Sequence, residues 1–361
     1  MSDPSLSPNQ DRYALDDAAL SAYLEAHIDG FAGPMVSHRF AGGQSNPTYR
    51  LVTPGHQYVM RSKPGPVSQL LPSAHAIERE FRVMSALAHT SVPVPQMLHL
   101  CLDESVIGRA FYVMSHVQGV THWDPVMPEA SPQERTAIYD AMNATLAALH
   151  CVDPNQIGLS DYGKPGNYFV RQIDRWSRQY RASITRPIDE MDFLMDWLPA
   201  HVPDSARRES RACIAHGDFR LDNLLFHPTQ PKVVAVIDWE LSTLGHPLAD
   251  LSYHCMAWHI DPAAFRGMAG VNLTSLGIPS EEQYIQKYLQ RAPGFEWREL
   301  QQDWNFYLAY NLFRMAAILQ GIAKRVEQGI ASDDKARQLA AGARPLAELA
   351  WTKARLHDAN K

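Results

Sequence analysis

Two stretches of the 361-residue chain concentrate side chains with chemical potential: His216-Gly217-Asp218-Phe219-Arg220-Leu221-Asp222-Asn223 and Val236-Ile237-Asp238-Trp239-Glu240. Asn223-Leu224-Leu225-Phe226 and Val233 to Ile237 read as two strands joined by a turn in His227 to Lys232, which carries two prolines. In an antiparallel pair, Asn223 at the start of the first strand and Asp238 at the end of the second fall at the same end, where they can share a metal ion. Asp218 lies on the loop feeding that end, five residues before Asn223, and its carboxylate can accept a proton from a hydroxyl beside the metal. Asp-x-x-x-x-Asn with a later Asp is the set needed to hold Mg²⁺ against nucleotide phosphates and align one hydroxyl in line. Each residue alone reads better as a loop or cap residue; the whole set, at these spacings around a strong hairpin, favours a phosphotransferase-type site.

Those groups need a scaffold. Leu15 to Ile28 has the periodicity of an amphipathic helix after a loose polar tail. The β-prone runs SHRF, TYRLVT and QYVMR are separated by Ala41-Gly42-Gly43 and Pro54-Gly55 turns. A helix is expected over Ser73 to His89, with Ser73 as N-cap, followed by the strands MLHLCLD and AFYVMSHV around a Gly108 turn. Beyond Gly119 the pattern is mostly helical. Ser131-Pro132-Gln133-Glu134 reads as a capping box, and helical tracts are expected near Arg171 to Arg181, Trp304 to Gln328 and Asp333 to Leu356.

These residues resemble the aminoglycoside phosphotransferase and choline kinase-like superfamily, distant relatives of protein kinases. The resemblance implies an α+β, bilobal protein-kinase-like fold: a tail and helix over 1–30, a small sheet-plus-helix N-lobe over 31–117, and a larger, mainly helical C-lobe over 118–361 that binds the acceptor. It implies Asp218 as catalytic base, Arg220 as a charge-stabilising cation, and Asn223 and Asp238 as Mg²⁺ ligands. His216 would support the metal loop and Asp250 would be structural. Gly43, Ser45 and Asn46 fall where such a fold covers the phosphates of ATP or GTP. Arg61 stands where the family often has a lysine, with Glu80 as its ion-pair partner and Lys63 as a substitute cation; a planar guanidinium and an ammonium are not equivalent there. Met114, Ser115 and Val117 match the connector that holds adenine.

The string Tyr58 to Pro64 with Gln69 to Phe81 is similar to kinase-like domains fused to, or encoded beside, acyl-CoA dehydrogenases. That likeness implies a hydroxyl acceptor in acyl-CoA metabolism, such as a hydroxyacyl-CoA, and an acyl-CoA dehydrogenase as a separate partner. Two other readings stay open: a pseudokinase that binds nucleotide or acyl-CoA, and a kinase for an aminoglycoside or choline-type acceptor. Tyr310 and Arg314, one helical turn apart, would hold an anionic acceptor if exposed. Trp239 and Glu240 either line the acceptor pocket or, for Trp239, pack under the hairpin. His254, Cys255 and His259 read as core or surface residues rather than a metal site.

Composition agrees with this class. Hydrophobic residues make up 45% and charged residues 20%, which suits a large core and excludes disorder. Thirty-three Lys and Arg against 39 Asp and Glu give a net charge of −6 with no dense basic stripe, so nucleic acid is not an expected partner. No segment approaches the ~20 apolar residues needed to span a bilayer. The four cysteines are widely spaced, in keeping with free thiols in a cytoplasmic protein.

Overall fold

A computed structural model describes residues 14–40, 46–64, 76–164, 166–207, 212–329 and 334–359. The chain divides into two compact units: Met1–Val120 with Leu225–Pro228 and Val234–Leu241, and Thr121–Leu224 with Thr229–Val233 and Ser242–Lys361.

The first unit is built on an antiparallel sheet of β1 (Val36–Arg39), β2 (Thr48–Val52), β3 (Gln57–Ser62), β4 (Met97–Cys101) and β5 (Phe111–Ser115), in the order β1-β2-β3-β5-β4. The expected strands are all present. Helix α1 (Asp17–His27) starts where the Asp16 carboxylate accepts the amides of Ala18 and Ala19. It buries Leu20 and Leu24 in one cluster with Tyr49, Leu51, Tyr58, Met60, Phe111 and Val113 of the sheet. Helix α2 (Ile77–Leu87) follows Ala76; Ser73, the expected cap, lies outside the described residues, as do Gly43 and Ser45.

The second unit is mainly helical: α3 (Pro132–Cys151), α4 (Tyr168–Ser183), α5 (Asp189–Ala200), α6 (Pro247–Cys255), α7 (Leu273–Leu276), α8 (Glu281–Arg291), α9 (Trp297–Glu327), α10 (Asp334–Ala341) and α11 (Ala343–Ala359). The Ser131/Glu134 capping box opens α3 as expected and contributes about 1 kcal/mol. The expected tract from Asp333 is two helices, parted at Gly342, a residue with weak helix preference. Helix α11 turns Ala343, Ala347, Ala350 and Ala354 inward, and such a stripe of small residues lets another helix approach closely.

Two three-residue strands, β6 (Cys213–Ala215) and β9 (Thr243–Gly245), pair antiparallel. Gly245 is required there: a Cβ on it would lie 2.7 Å from the Cβ of Ala215. The hairpin foreseen in the sequence is β7 (Leu224–Phe226) paired with β8 (Val233–Val236). Asn223 does not begin the strand, because it closes a 3₁₀ turn over Leu221–Asn223. Asp238 lies two residues beyond β8 with φ of 65°. Among the described residues no helix is long and apolar enough to cross a membrane, and all four cysteines are free.

His254 packs in an aromatic cage of Tyr139, Phe219, Trp258 and Tyr284, with ring centroids 4.9 to 6.4 Å away. Burial pushes its imidazole down to about 3. The native ring therefore stays neutral while the unfolded one takes a proton below about pH 6.5, so stability is complete above that pH and is lost as pH falls towards 3. The stability of His254→Phe relative to the wild type should rise by about 1.6 kcal/mol as the pH falls from 6.5 to 5. Urea unfolding at both pH values checks this, and parallel pH dependence in the two proteins would refute it.

Candidate active site

In the first unit the chemistry gathers around one cation. β3 delivers Arg61, whose Nε lies 3.4 Å from Oε2 of Glu80 on α2. Its Nη2 donates to Oδ1 of Asp238 at 2.9 Å and to Oε2 of Glu240 at 3.1 Å. Glu80 is 1% exposed, so it is no surface glutamate; Nδ2 of Asn46 and the Tyr112 hydroxyl also donate to it, at 3.1 and 3.2 Å. Burial works against the Arg61 cation, but Glu80 and Asp238 outweigh it and hold the guanidinium charged. Burial pushes the Glu80 carboxyl up, with Arg61 opposing.

Arg61, not Lys63, makes the ion pair with Glu80. Lys63 follows β3 and pairs with Glu78 at 3.3 Å. Asn46 is turned to Glu80 and fully buried. Met114 lies in β5 opposite Val59 and Met97, and the Ser115 amide donates to the Gln96 carbonyl at 2.9 Å. Val117 follows the strand, half-buried. Trp239 is buried, and its indole N–H donates to the Val236 carbonyl at 2.9 Å, so it packs beneath the hairpin.

In the second unit, the loop after β6 hangs on helix α6. The Asp250 carboxylate accepts the amides of His216 at 2.6 Å and Gly217 at 2.9 Å, and Nε2 of His150 lies 3.3 Å away. Burial would raise this carboxyl, but His150, His216 and the Gly217 amide hold it below its usual range. Gly217 takes φ of 82°, a turn open to glycine at no steric cost, which leads directly into Asp218.

The Asp218 amide donates to Nδ1 of His216 at 3.2 Å. Nδ2 of Asn223 donates to both the carbonyl and Oδ2 of Asp218, each at 2.9 Å. Nε of Arg220 lies 3.2 Å from Asp218 Oδ1, and its Nη2 lies 3.2 Å from Oδ2 of Asp222, which also receives Arg266. Arg220 is therefore tied between two carboxylates rather than solvated. The Tyr253 hydroxyl donates to Asp218 Oδ1.

Tyr310 and Arg314 do not form an exposed anion clamp, because both are buried. Arg314 donates to the Gly217 carbonyl and lies over the rings of Tyr253 and Trp176, 5.1 and 5.4 Å from the centroids. His259 pairs with Glu281 and His254 is caged by aromatic rings; among the described residues no group of three or more His, Cys, Asp or Glu could hold a metal. Asp218 and Asn223 are thus brought together in one unit, and Arg61, Glu80 and Asp238 in the other. Sequence reasoning missed the bonds of Tyr253 to Asp218 and of Asn46 and Tyr112 to Glu80, and the tie of Glu240 to Arg61.

A family model described as a phosphotransferase enzyme family matches residues 37–304. The chain belongs to this family. It is 45% identical over 354 residues to acyl-CoA dehydrogenase family member 10 of Mus musculus, covering 96% of this chain and 32% of that protein. It is 40% identical over 341 residues to acyl-CoA dehydrogenase family member 11 of Homo sapiens, covering 93% of this chain and 43% of that protein. The chain thus spans about a third to under half the length of these relatives.

The crystal structure of a putative aminoglycoside phosphotransferase from Ralstonia eutropha matches with TM-score 0.84 and 55% identity over 95% of this chain and 99% of that one. Aminoglycoside phosphotransferase APH(4)-Ia, in ternary complex with ADP and hygromycin B, matches with TM-score 0.60 and 16% identity over 93% and 98%. The expected kinase-like α+β fold of the phosphotransferase family is therefore present, with its sheet-based N-terminal part and mainly helical C-terminal part.

The three carboxylates on one guanidinium give this phosphotransferase-family chain a measurable dependence on Arg61. Arg61→Met leaves Glu80 buried without a cation and should lower stability by about 3 kcal/mol; Arg61→Lys should recover only part, since a point charge cannot serve three partners as a planar fork does. Urea unfolding of the three proteins checks this, and a methionine variant as stable as wild type would refute it.

Proposed function

We propose that the chain transfers the γ-phosphoryl group of ATP or GTP to a hydroxyl of a small molecule. The observation that carries this reading is the Asp218 carboxylate, oriented by Asn223, Arg220 and Tyr253 on a loop fastened by Asp250. Asp218 accepts the hydroxyl proton as the acceptor oxygen attacks phosphorus, and Arg220 offsets charge beside it. Asn223 and Asp238 are the Mg²⁺ ligands in this reading. The donor chemistry fits: the Asn223 amide nitrogen is engaged by Asp218, which leaves its oxygen as the ligating atom, and Asp238 adds a carboxylate, so the set is all oxygen. When bound, Mg²⁺ supplies neutralisation of phosphate charge. Arg61, oriented by Glu80, addresses the phosphates, and Met114, Ser115 and Val117 line the adenine.

The relatives' names support an acceptor from acyl-CoA metabolism, such as a hydroxyacyl-CoA, with an acyl-CoA dehydrogenase as partner. The names of the matched structures support an aminoglycoside acceptor instead. A pseudokinase reading draws on Arg61, because an arginine engaged by Glu80, Asp238 and Glu240 stands in place of the lysine.

Calorimetric titration with ATP and GTP, with and without Mg²⁺, followed by γ-labelled ATP turnover on hydroxyacyl-CoAs, amino alcohols and aminoglycosides, tests these readings. Mg²⁺-dependent nucleotide binding is expected, retained in Asp218→Asn, with transfer lowered at least about 100-fold in that variant. Nucleotide binding without transfer to any acceptor would favour the pseudokinase, and no nucleotide binding would overturn the proposal.

A further inference from the structure

Among the described residues that bond the Asp218 carboxylate, Tyr253 is the one that the motif spacing does not contain, and the structure gives it a defined job. A carboxylate offers about four lone-pair directions, two on each oxygen. On Asp218, Oδ1 receives the Tyr253 hydroxyl and has the Arg220 cation 3.2 Å away as an ion pair, and Oδ2 receives Nδ2 of Asn223. Oδ1 is thus engaged by a hydroxyl and a cation and Oδ2 by one amide, which leaves Oδ2 the less engaged oxygen. We infer that Tyr253 is a positioning residue: by bonding Oδ1 on the side of the Arg220 cation it fixes the rotation of the Asp218 carboxylate, so that Oδ2 is the atom that meets the acceptor hydroxyl.

The support for Tyr253 is rigid. It lies on α6 one turn after Asp250, so the helix that pins the His216 and Gly217 amides also delivers the hydroxyl to the next residue of the loop. Arg314 lies over the Tyr253 ring and donates to the Gly217 carbonyl, which clamps the ring and the loop together from one side. Burial and the neighbouring Asp218 carboxylate push the phenol well above its ordinary value, so Tyr253 remains a donor and does not compete as a base. In the transfer step the acceptor O–H proton goes to Asp218 Oδ2, the acceptor oxygen forms the new bond to the γ-phosphorus, and the bond to the bridging oxygen breaks to leave the nucleoside diphosphate.

This inference rests on Asp218 being the base, and its test separates the two ideas. Tyr253→Phe keeps the ring beneath Arg314 and removes only the hydroxyl. With the acceptor found in the turnover screen, kcat is expected to fall about 10- to 100-fold, with nucleotide KM and melting temperature unchanged. The ratio of acceptor phosphorylation to ATP hydrolysis by water should fall as well, because a misaligned base no longer favours the bound hydroxyl. An unchanged kcat, or parallel losses in KM and melting temperature, would overturn it. Crystal structures of wild type and Tyr253→Phe provide the second arm: the carboxylate should rotate in the variant, and an unmoved Asp218 overturns the inference whether or not the protein proves to be a kinase.

Discussion

The second unit turns on a single buried carboxylate. Asp250 accepts two consecutive backbone amides, His216 and Gly217, and without it those donors would sit unpaired in the interior. That arrangement makes a left-handed Gly217 and a fixed exit direction for Asp218 compatible with a loop that has no regular structure of its own. His150, itself 2.6 Å from the Tyr288 hydroxyl, supports Asp250 from α3. The loop therefore inherits the rigidity of three helices, α3, α6 and α8.

In the first unit Arg61 has the corresponding place, with the signs reversed. One guanidinium meets Glu80 of α2 and two carboxylates, Asp238 and Glu240, of the segment after β8. A planar fork with several donors can meet all three carboxylates at once, which an ammonium point charge does less well. Asp238 holds φ of 65°, a conformation that costs a non-glycine residue about 1 kcal/mol or more, and its contact with Arg61 offsets part of that cost.

What the sequence made legible was local. The His216 to Asn223 spacing, the Ser131 capping box and the nearness of Asp218 to Asn223 depend on residues a few positions apart, where loop and cap geometry follows from residue type. The expected partnership of Arg61 with Glu80 came from likeness to a family rather than from spacing. The contacts that escaped are long-range: Glu240 lies 179 residues from Arg61, and Tyr253 lies 35 from Asp218. Nothing in a tyrosine on an apolar helix marks it as a partner of a carboxylate until tertiary packing brings the two together. The same holds for Arg314, whose burial reversed the expectation of an exposed anion clamp: a cation over two aromatic rings and against a carbonyl has enough compensation to be interior. The strands β6 and β9 and the helix α6 escaped for a simpler reason, since three-residue strands and a nine-residue helix that buries Asp250, Ser252 and His254 carry little periodicity; α8 was legible in its Ser280/Gln283 capping box and was missed.

Each carboxylate or amide assigned to chemistry is already fastened by a neighbouring donor. Asn223 is oriented by the residue it assists, Asp218 by Tyr253 and Arg220, and Asp238 by Arg61. A transfer reaction that relies on placement and charge, with no covalent intermediate, gains most from groups whose orientation is settled before the ligand arrives, because no reorganisation then remains to be made in the transition state. The same fastening limits Arg61. Its guanidinium already faces three carboxylates, so any phosphate it meets must compete with Asp238 and Glu240, whereas Glu80, buried on α2 and bonded by Tyr112 and Asn46, remains its fixed partner. The arginine thus links the helix α2 to the segment after β8, through Asp238 and Glu240 together.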